Sequence, residues 1–490
     1  MIFDLNKNER KSSYLYDICI IGAGVAGITL AIELSKQGKK IALLEGGGEQ
    51  YSEISQDIYK AENTGSTYYG VSACRLRYLG GTSNHWAGRT MLLQPVDFKE
   101  RDFFSLTGWP IKIQELDRHR DEAFNILGLK KDSLDALDMP ELVSSSMKSV
   151  GHGSTPPVRF REKYYRDLVK SKNIDLFINA NLTDMKLNDS FNHISKLEVK
   201  NYNDTTYDFS GKKIILAMGA IENARLLLNC NSQLPAGVGN HSDFVGRCFM
   251  EHFQIQMGRY TINSSHPIWS KDTYLEFFPT DKFVLKNKIG TSVISFGKAT
   301  SKSYGRLKAI RKFLKESVCT SESLTDFSRN MFNFNCSGDG IITTLCEQSP
   351  NKKSRITLSN EKDSLGLQRA VLNWDINELD KRTIRLLAIE TAKEFARLDF
   401  GRVQLPDYIL SDDVELVPNG HCHQMGTTRM AKSSEDGVVD VNCKVFGIDN
   451  LYVAGSSVFS TGGGVNPTLS IVQLSLRLAE HLSDINIVKS

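Results

Sequence analysis

A glycine-rich turn and one carboxylate near the start of the chain set out the first chemistry that the sequence can do. Gly22-Ala23-Gly24-Val25-Ala26-Gly27 follows the apolar run Tyr16–Ile21, and Glu45 closes a second apolar run, Ile41–Leu44. That spacing suits a dinucleotide. Gly22 allows a tight turn, Gly24 lets backbone N–H groups approach a pyrophosphate, and Gly27 lets a helix lie close on a strand. The positive end of that helix faces the phosphates. Glu45 can accept from ribose hydroxyls and would repel a 2′-phosphate, which disfavours NADP and leaves NAD and FAD open. A second loop, Gly80-Gly81-Thr82-Ser83-Asn84-His85-Trp86, has the small residues that let backbone lie against a flat ring. It reads equally as a packed loop with a satisfied histidine. Near the C-terminus, Gly455-Ser456-Ser457, the run Gly462–Gly464 and Asn466-Pro467-Thr468 supply another glycine-bounded helix start where a cofactor can meet backbone amides.

These residues need rigid elements behind them. Tyr16–Ile21 reads as a buried parallel strand. Ala26–Gln37 has apolar Leu30, Ala31 and Leu34 at helical spacing and is stopped by Gly38; Ile41–Leu44 is the next strand, completing a βαβ unit. Further strands are predicted at Ile174–Ile178, Leu197–Lys200 and Lys213–Ala217. The last leads through Met218-Gly219 into a helix to Leu228 and marks a return to the first sheet. A helix starts at about Gln114, and Leu134–Pro157, rich in Ser, Gly and Pro, reads as a linker or a crossing between domains. From His252 to Asp412 the texture changes. Leu285–Phe296 reads as strand, Ser301–Lys315 and Asn377–Leu398 as helices, and the many aromatics (Trp269, Tyr274, Phe277, Phe278, Phe283, Phe296, Tyr304, Phe327, Phe332, Phe334) suit a core more than a sugar-stacking wall. Asn450–Ala454 is a strand, and a helix follows Pro467 to Leu482.

Composition narrows the classes. A chain of 490 residues is too long for one compact domain. The net charge of +3, without a basic patch interleaved with aromatics, argues against nucleic acid. No apolar run is long enough for a membrane span, and Met1–Tyr14 lacks a signal core. The nine cysteines show neither Cys-x-x-Cys nor metal-ligand spacing, so no metal site is expected, and their odd number favours free thiols in a reducing cytoplasm.

Taken in order, the stretches GAGVAG with Glu45, GGTSNHWAGR, AMGAIENARLLL, SRITLS with its following acidic and glycine positions to Gly366, and HQMGTTRM followed by NLYVAGSSVFSTGGGVNPTLSI resemble the glucose-methanol-choline (GMC) oxidoreductase family over nearly the whole chain. The GGTSNHW loop and Gly455-Ser456 look most like the pyranose oxidase and fructose dehydrogenase branch. The resemblance implies a mixed α/β and α+β fold. A discontinuous Rossmann-type FAD domain would comprise residues 1–98, 155–250 and 413–490. A substrate domain of 99–154 and 251–412 would be built on a mainly antiparallel sheet flanked by helices. It implies FAD held by Gly22, Gly24, Ala26, Gly27 and Glu45; by Gly80, Gly81, Thr82, Asn84, His85 and Trp86; by Ala217 and Gly219; and by Gly455, Ser456, Asn466, Pro467 and Thr468. His85 matches the position that carries FAD covalently in pyranose oxidase, although other members have the loop without the bond. His423 and Asn466 fall on the catalytic pair. His423 would take the hydroxyl proton of a sugar-like or polyol CH–OH while hydride passes to flavin N5. His421, on an extended segment, would point away from that face. A lyase of the same fold, keeping FAD structurally, is the alternative. The reoxidant is left open among oxygen, a quinone and a carrier protein.

Overall fold

The computed structural model describes residues 1–7, 13–68, 71–106, 108–130, 144, 146–149, 153–154, 156–262, 275–298, 339–412 and 415–484. Ser301–Lys315 and the aromatics Trp269, Tyr274, Tyr304, Phe327, Phe332 and Phe334 lie outside them.

The larger sheet runs in the order Ile2–Asp4, Ile174–Ile178, Ile41–Leu44, Ser13–Ile21, Thr206–Leu216, Ile194–Lys200, Asn181–Leu187. The first five strands are parallel, and the last two add antiparallel. Leu451–Val453 also pairs in parallel with Thr206–Leu216. Ser13–Ile21 begins upstream of the predicted Tyr16 because the long Thr206–Leu216 strand offers a partner from Asp208↔Ser13 onward. Side chains of Ile18–Ile21 and Ile41–Leu44 are buried, as strands covered on both faces require. The helix Val25–Lys36 packs against both Phe160–Lys170 and the C-terminal helix Thr468–Asp484.

Register makes the sheet edge. Ile21 pairs with Leu44 and with Leu216, and Leu216 pairs with Val453. Gly22, Glu45 and Ala217, which directly follow their strands, and Gly455, two residues past Val453, therefore come out along one carboxyl edge, the place where open parallel sheets bind ligands. Gly22 has φ of +101°, and a Cβ on Gly27 would stand 1.9 Å from the Gly22 carbonyl oxygen. The third glycine of the turn is thus required by close helix–strand packing.

The second sheet is antiparallel throughout, in the order Gly401–Gln404, Phe253–Ile262, Asp339–Cys346, Ser292–Lys298, Leu275–Pro279, Met147–Ser149, with Asn419–Gly420 also on Phe253–Ile262. The helix Glu378–Arg397 flanks it, capped by Asn377 with Asp380 in a reciprocal box. Leu285–Phe296 is not one strand. Asp281–Asn287 is helical because the Thr280 side chain accepts the Phe283 N–H, and Lys288 ends the helix in the left-handed region (φ 52°) before the strand at Ser292. A small sheet of Arg355–Lys362, Gln368–Asn373 and Ala61–Asn63 ties the later chain to the segment after Glu45. Among the described residues no helix is long and apolar enough to cross a membrane.

Candidate active site

A cavity of about 710 Å³ lies along the carboxyl edge of the larger sheet. Gly22, Gly24, Ala26 and Glu45 line it, together with Gly81, Thr82, His85, Trp86, Ala217, Gly219, Gly455 and Ser456. His423, Asn466, Pro467 and Thr468 are on the same wall system. The segments predicted to act together are therefore brought together. Gly27, Gly80 and Asn84 do not line the cavity. Gly27 packs behind the turn on Gly22, Gly80 donates its N–H to Ala23 O at 2.8 Å, and Asn84 Nδ2 donates to Leu79 O at 2.9 Å, so these residues shape the walls from outside. A Cβ on Gly81 would come within 3.3 Å of Gly24 Cα, which shows how closely the second loop crosses the first turn.

Glu45 is buried, and its carboxylate accepts from Ala23 N and Gly47 N, both at 2.9 Å, so it ties the glycine turn to the end of its own strand while facing the cavity. Two arginines that the sequence did not single out also line the cavity. Arg75 donates to Glu222 at 2.6 Å and lies over the Tyr59 ring; Arg77 donates to Tyr202 Oη at 2.6 Å and Asn181 Oδ1 at 2.8 Å. Their only local mark was basic character just before the Gly-Gly pair.

At the other end the second sheet delivers the histidines. Phe253 pairs with Gly420, and Met250 pairs with Met425. Between these pairs residues 251 and 252 face four residues, 421–424, so the latter strand bulges. Cys422 takes up the excess in the left-handed region (φ 62°). The alternation expected of an extended segment is broken there, and His421 does not point away: its ring centroid is 5.0 Å from that of His423, and both line the cavity. Cys422 is also bonded to Cys74, with Cα atoms 5.5 Å apart, which corrects the expectation that all the cysteines are free thiols. A separation of 348 residues leaves no local spacing by which to see the pair. Cys19, Cys230, Cys248, Cys346 and Cys443 are free and buried.

Beneath the bulge, Glu251 Oε1 accepts the backbone N–H of His423 at 2.6 Å and of His252 at 2.9 Å, and Oε2 accepts from Tyr68 Oη. Burial pushes the Glu251 carboxyl up to about 7 against these donors. His423 Nδ1 lies 3.0 Å from His252 Nδ1, and His423 Nε2 lies 3.3 Å from Asn466 Nδ2. Burial, then the neighbouring His252 and His421, hold His423 well below the ordinary imidazole range, so it is a neutral base near neutral pH. Asn466 Oδ1 is buried with no hydrogen-bond partner among the described residues.

Residues 350–475 match the family model for GMC oxidoreductases, and residues 17–223 match that for FAD-dependent oxidoreductases. The chain carries a GMC oxidoreductase C-terminal domain and an FAD-dependent oxidoreductase domain. Among curated relatives, this chain is 24% identical to a 2-methyl-1,2-propanediol dehydrogenase of Mycolicibacterium austroafricanum over 95% of each chain. It is 22% identical to the fructose dehydrogenase large subunit of Gluconobacter japonicus over 97% of this chain and 98% of that one. Among solved structures, pyridoxine 4-oxidase from Mesorbium loti shares the fold at a TM-score of 0.58 and 18% identity, covering 95% of this chain and 99% of that chain. The protein is thus an FAD-dependent oxidoreductase of CH–OH groups. Its cavity fits the cofactor. A Cβ on Gly24 or Gly219 would meet nothing within 4 Å, leaving room for a pyrophosphate at the starts of the helices Val25–Lys36 and Ala220–Asn229.

Proposed function

We propose that this enzyme oxidises the CH–OH group of a polyol or sugar-like alcohol, with His423 as general base and Asn466 as the group that holds the reacting oxygen. The observation that carries this reading is the convergence of His423 Nε2 and Asn466 Nδ2, 3.3 Å apart, on a cavity that runs from a dinucleotide turn. A hydroxyl presented to both groups takes the place of the direct Asn466–His423 contact and gives its proton to Nε2. Asn466 Nδ2 donates to the same oxygen as negative charge develops, and so orients the C–H bond. FAD, when bound, supplies the two-electron sink. The substrate class follows the relatives, whose names specify a propanediol, fructose and, for a Streptomyces fradiae relative, paromamine.

The decisive experiment is an anaerobic bleaching screen of purified yellow protein over sugars, aminosugars, cyclitols and diols. Bleaching by one of these classes is expected. A flavin that stays oxidised with every alcohol while the protein cleaves a hydroxynitrile would replace the oxidoreductase reading with the lyase. His85 lines the cavity, and we read FAD as held without a bond to it. Acid-denatured protein at its unmodified mass, with FAD in the supernatant, is the expected result.

A further inference from the structure

We propose that His252 is a positioning residue that decides which nitrogen of His423 carries the proton. The inference rests on the assignment of His423 as the base and adds the group that prepares it.

The geometry leaves one consistent arrangement of hydrogens. His252 Nε2 lies 2.6 Å from the carbonyl oxygen of Gly463. A carbonyl only accepts, so that nitrogen carries the hydrogen. A neutral imidazole has one N–H, which leaves His252 Nδ1 as a bare acceptor. His423 Nδ1, 3.0 Å away, must then donate to it. The lone pair of His423 is therefore on Nε2, the atom beside Asn466 and the cavity. The opposite tautomer would set two lone pairs against each other at one end or the other. When Nε2 takes a proton, the Nδ1–H bond to His252 becomes charge-assisted and strengthens, so His252 favours the state formed during the reaction.

The neutral state of the pair has a physical basis. His252 is wholly buried, and burial pushes it down to about 4. The groups facing the pair from the packed elements are Glu251, which accepts their backbone N–H groups, Glu347 behind the Gly463 loop, His421 on the bulge, and Arg89 beside His421. Glu347 is held by two 2.7 Å bonds from Arg101, which opposes its pull on His252.

The carbonyl that sets the sequence of donors is itself fixed. Gly463 N donates to Glu347 Oε1 at 3.3 Å, and Thr291 N donates to Glu347 Oε2 at 2.8 Å. A Cβ on Gly462 would stand 3.2 Å from His252 Nε2, and one on Gly463 would stand 2.7 Å from Asp97 Oδ2. The glycine run that the sequence suggested as a cofactor contact does not line the cavity. It allows main chain to reach His252.

The test is ring ¹⁵N–¹H long-range correlation NMR on histidine-labelled protein, both FAD-loaded and stripped, assigned with His252→Asn and His423→Asn. Hydrogen on Nε2 of His252 and on Nδ1 of His423 is the expected pattern; hydrogen on His423 Nε2 overturns the proposal. In anaerobic flavin reduction, His252→Leu is expected to slow the step at least about tenfold with FAD content unchanged. His252→Asn, whose amide oxygen can take the place of Nδ1, restores most of the rate. Equal rates for both variants and wild type also overturn it. If His252→Leu does not fold, the NMR of wild type still decides. If no alcohol bleaches the wild-type flavin, the oxidoreductase reading falls, and the tautomer is read independently.

Discussion

The two ends of the cavity are built on opposite plans. At the nucleotide end, each wall begins where a parallel strand stops, so Gly22, Glu45, Ala217 and Gly455 are placed by register within one sheet. At the histidine end, residues 251–252, 421–424, 463 and 466 meet through a bulge in an antiparallel pair and a glycine loop. The first plan places backbone dipoles, which bind phosphate whatever the side chains are. The second places particular side-chain atoms, and it needs a second layer of buried polar groups to hold them. Breaking the first should cost cofactor and stability. Breaking the second should cost rate with the cofactor still in place.

The largest effect expected is on the second plan. His423→Ala should retain FAD and lose at least about a hundredfold in flavin reduction by substrate, the usual contribution of a positioned general base. Stopped-flow absorbance of the FAD-loaded variant measures it, and a rate near wild type would remove His423 from the mechanism. The complementary change is Gly27→Ala. Its methyl would overlap the Gly22 carbonyl, so the helix must shift, at a cost of about 1–3 kcal/mol. A lower melting temperature and a reduced ratio of flavin to protein absorbance are expected. An unaffected flavin ratio would show that the helix start is not what holds the pyrophosphate.

The same difference explains what could be read from the sequence. The nucleotide end was legible because turn, helix, strand and carboxylate follow one another within Tyr16–Glu45, and each carries a local signature. His423 and Asn466 were legible only through the family pattern, since a histidine by itself has no local mark of function. Glu251, His252 and Tyr68 were missed because they touch His423 or support it across separations of 171 to 183 residues. The position of His421 was misread for a related reason. A left-handed residue at Cys422 reverses the alternation of a strand, and nothing in the type of residue 422 announces it. The strand expected from Leu285 starts too early, because Leu285–Asn287 is the last turn of a helix whose cap at Thr280 lies upstream of that run.

A smaller loss should follow Tyr68→Phe. Tyr68 gives its hydrogen to Glu251, and Gln424 Nε2 donates to the Tyr68 oxygen at 3.2 Å. Without the hydroxyl, Glu251 keeps the His423 and His252 N–H groups but loses a buried donor worth about 1 kcal/mol. A fall of roughly fivefold in flavin reduction, with FAD retained, would place Tyr68 in the supporting layer. A fall as large as that of His423→Ala would make the two layers one unit.

The last and smallest effect concerns which group gives the acid limb of the rate. His423 is depressed by burial and by its histidine neighbours, so it stays unprotonated, and able to accept, as pH falls through the ordinary imidazole value. No loss of base is therefore expected near 6.5. Glu251, raised by burial to about 7, does change charge there. Its hydrogen-bond partners among the described residues are donors, including the N–H of His423, the N–H of His252 and the hydroxyl of Tyr68. The charged carboxylate suits these contacts, and protonation on acidification sets a hydrogen against one of them. The expected profile of anaerobic flavin reduction is a mild decline as pH falls through about 7, present in wild type and absent in Glu251→Gln, which does not titrate. A decline that persists in Glu251→Gln would take the limb away from Glu251.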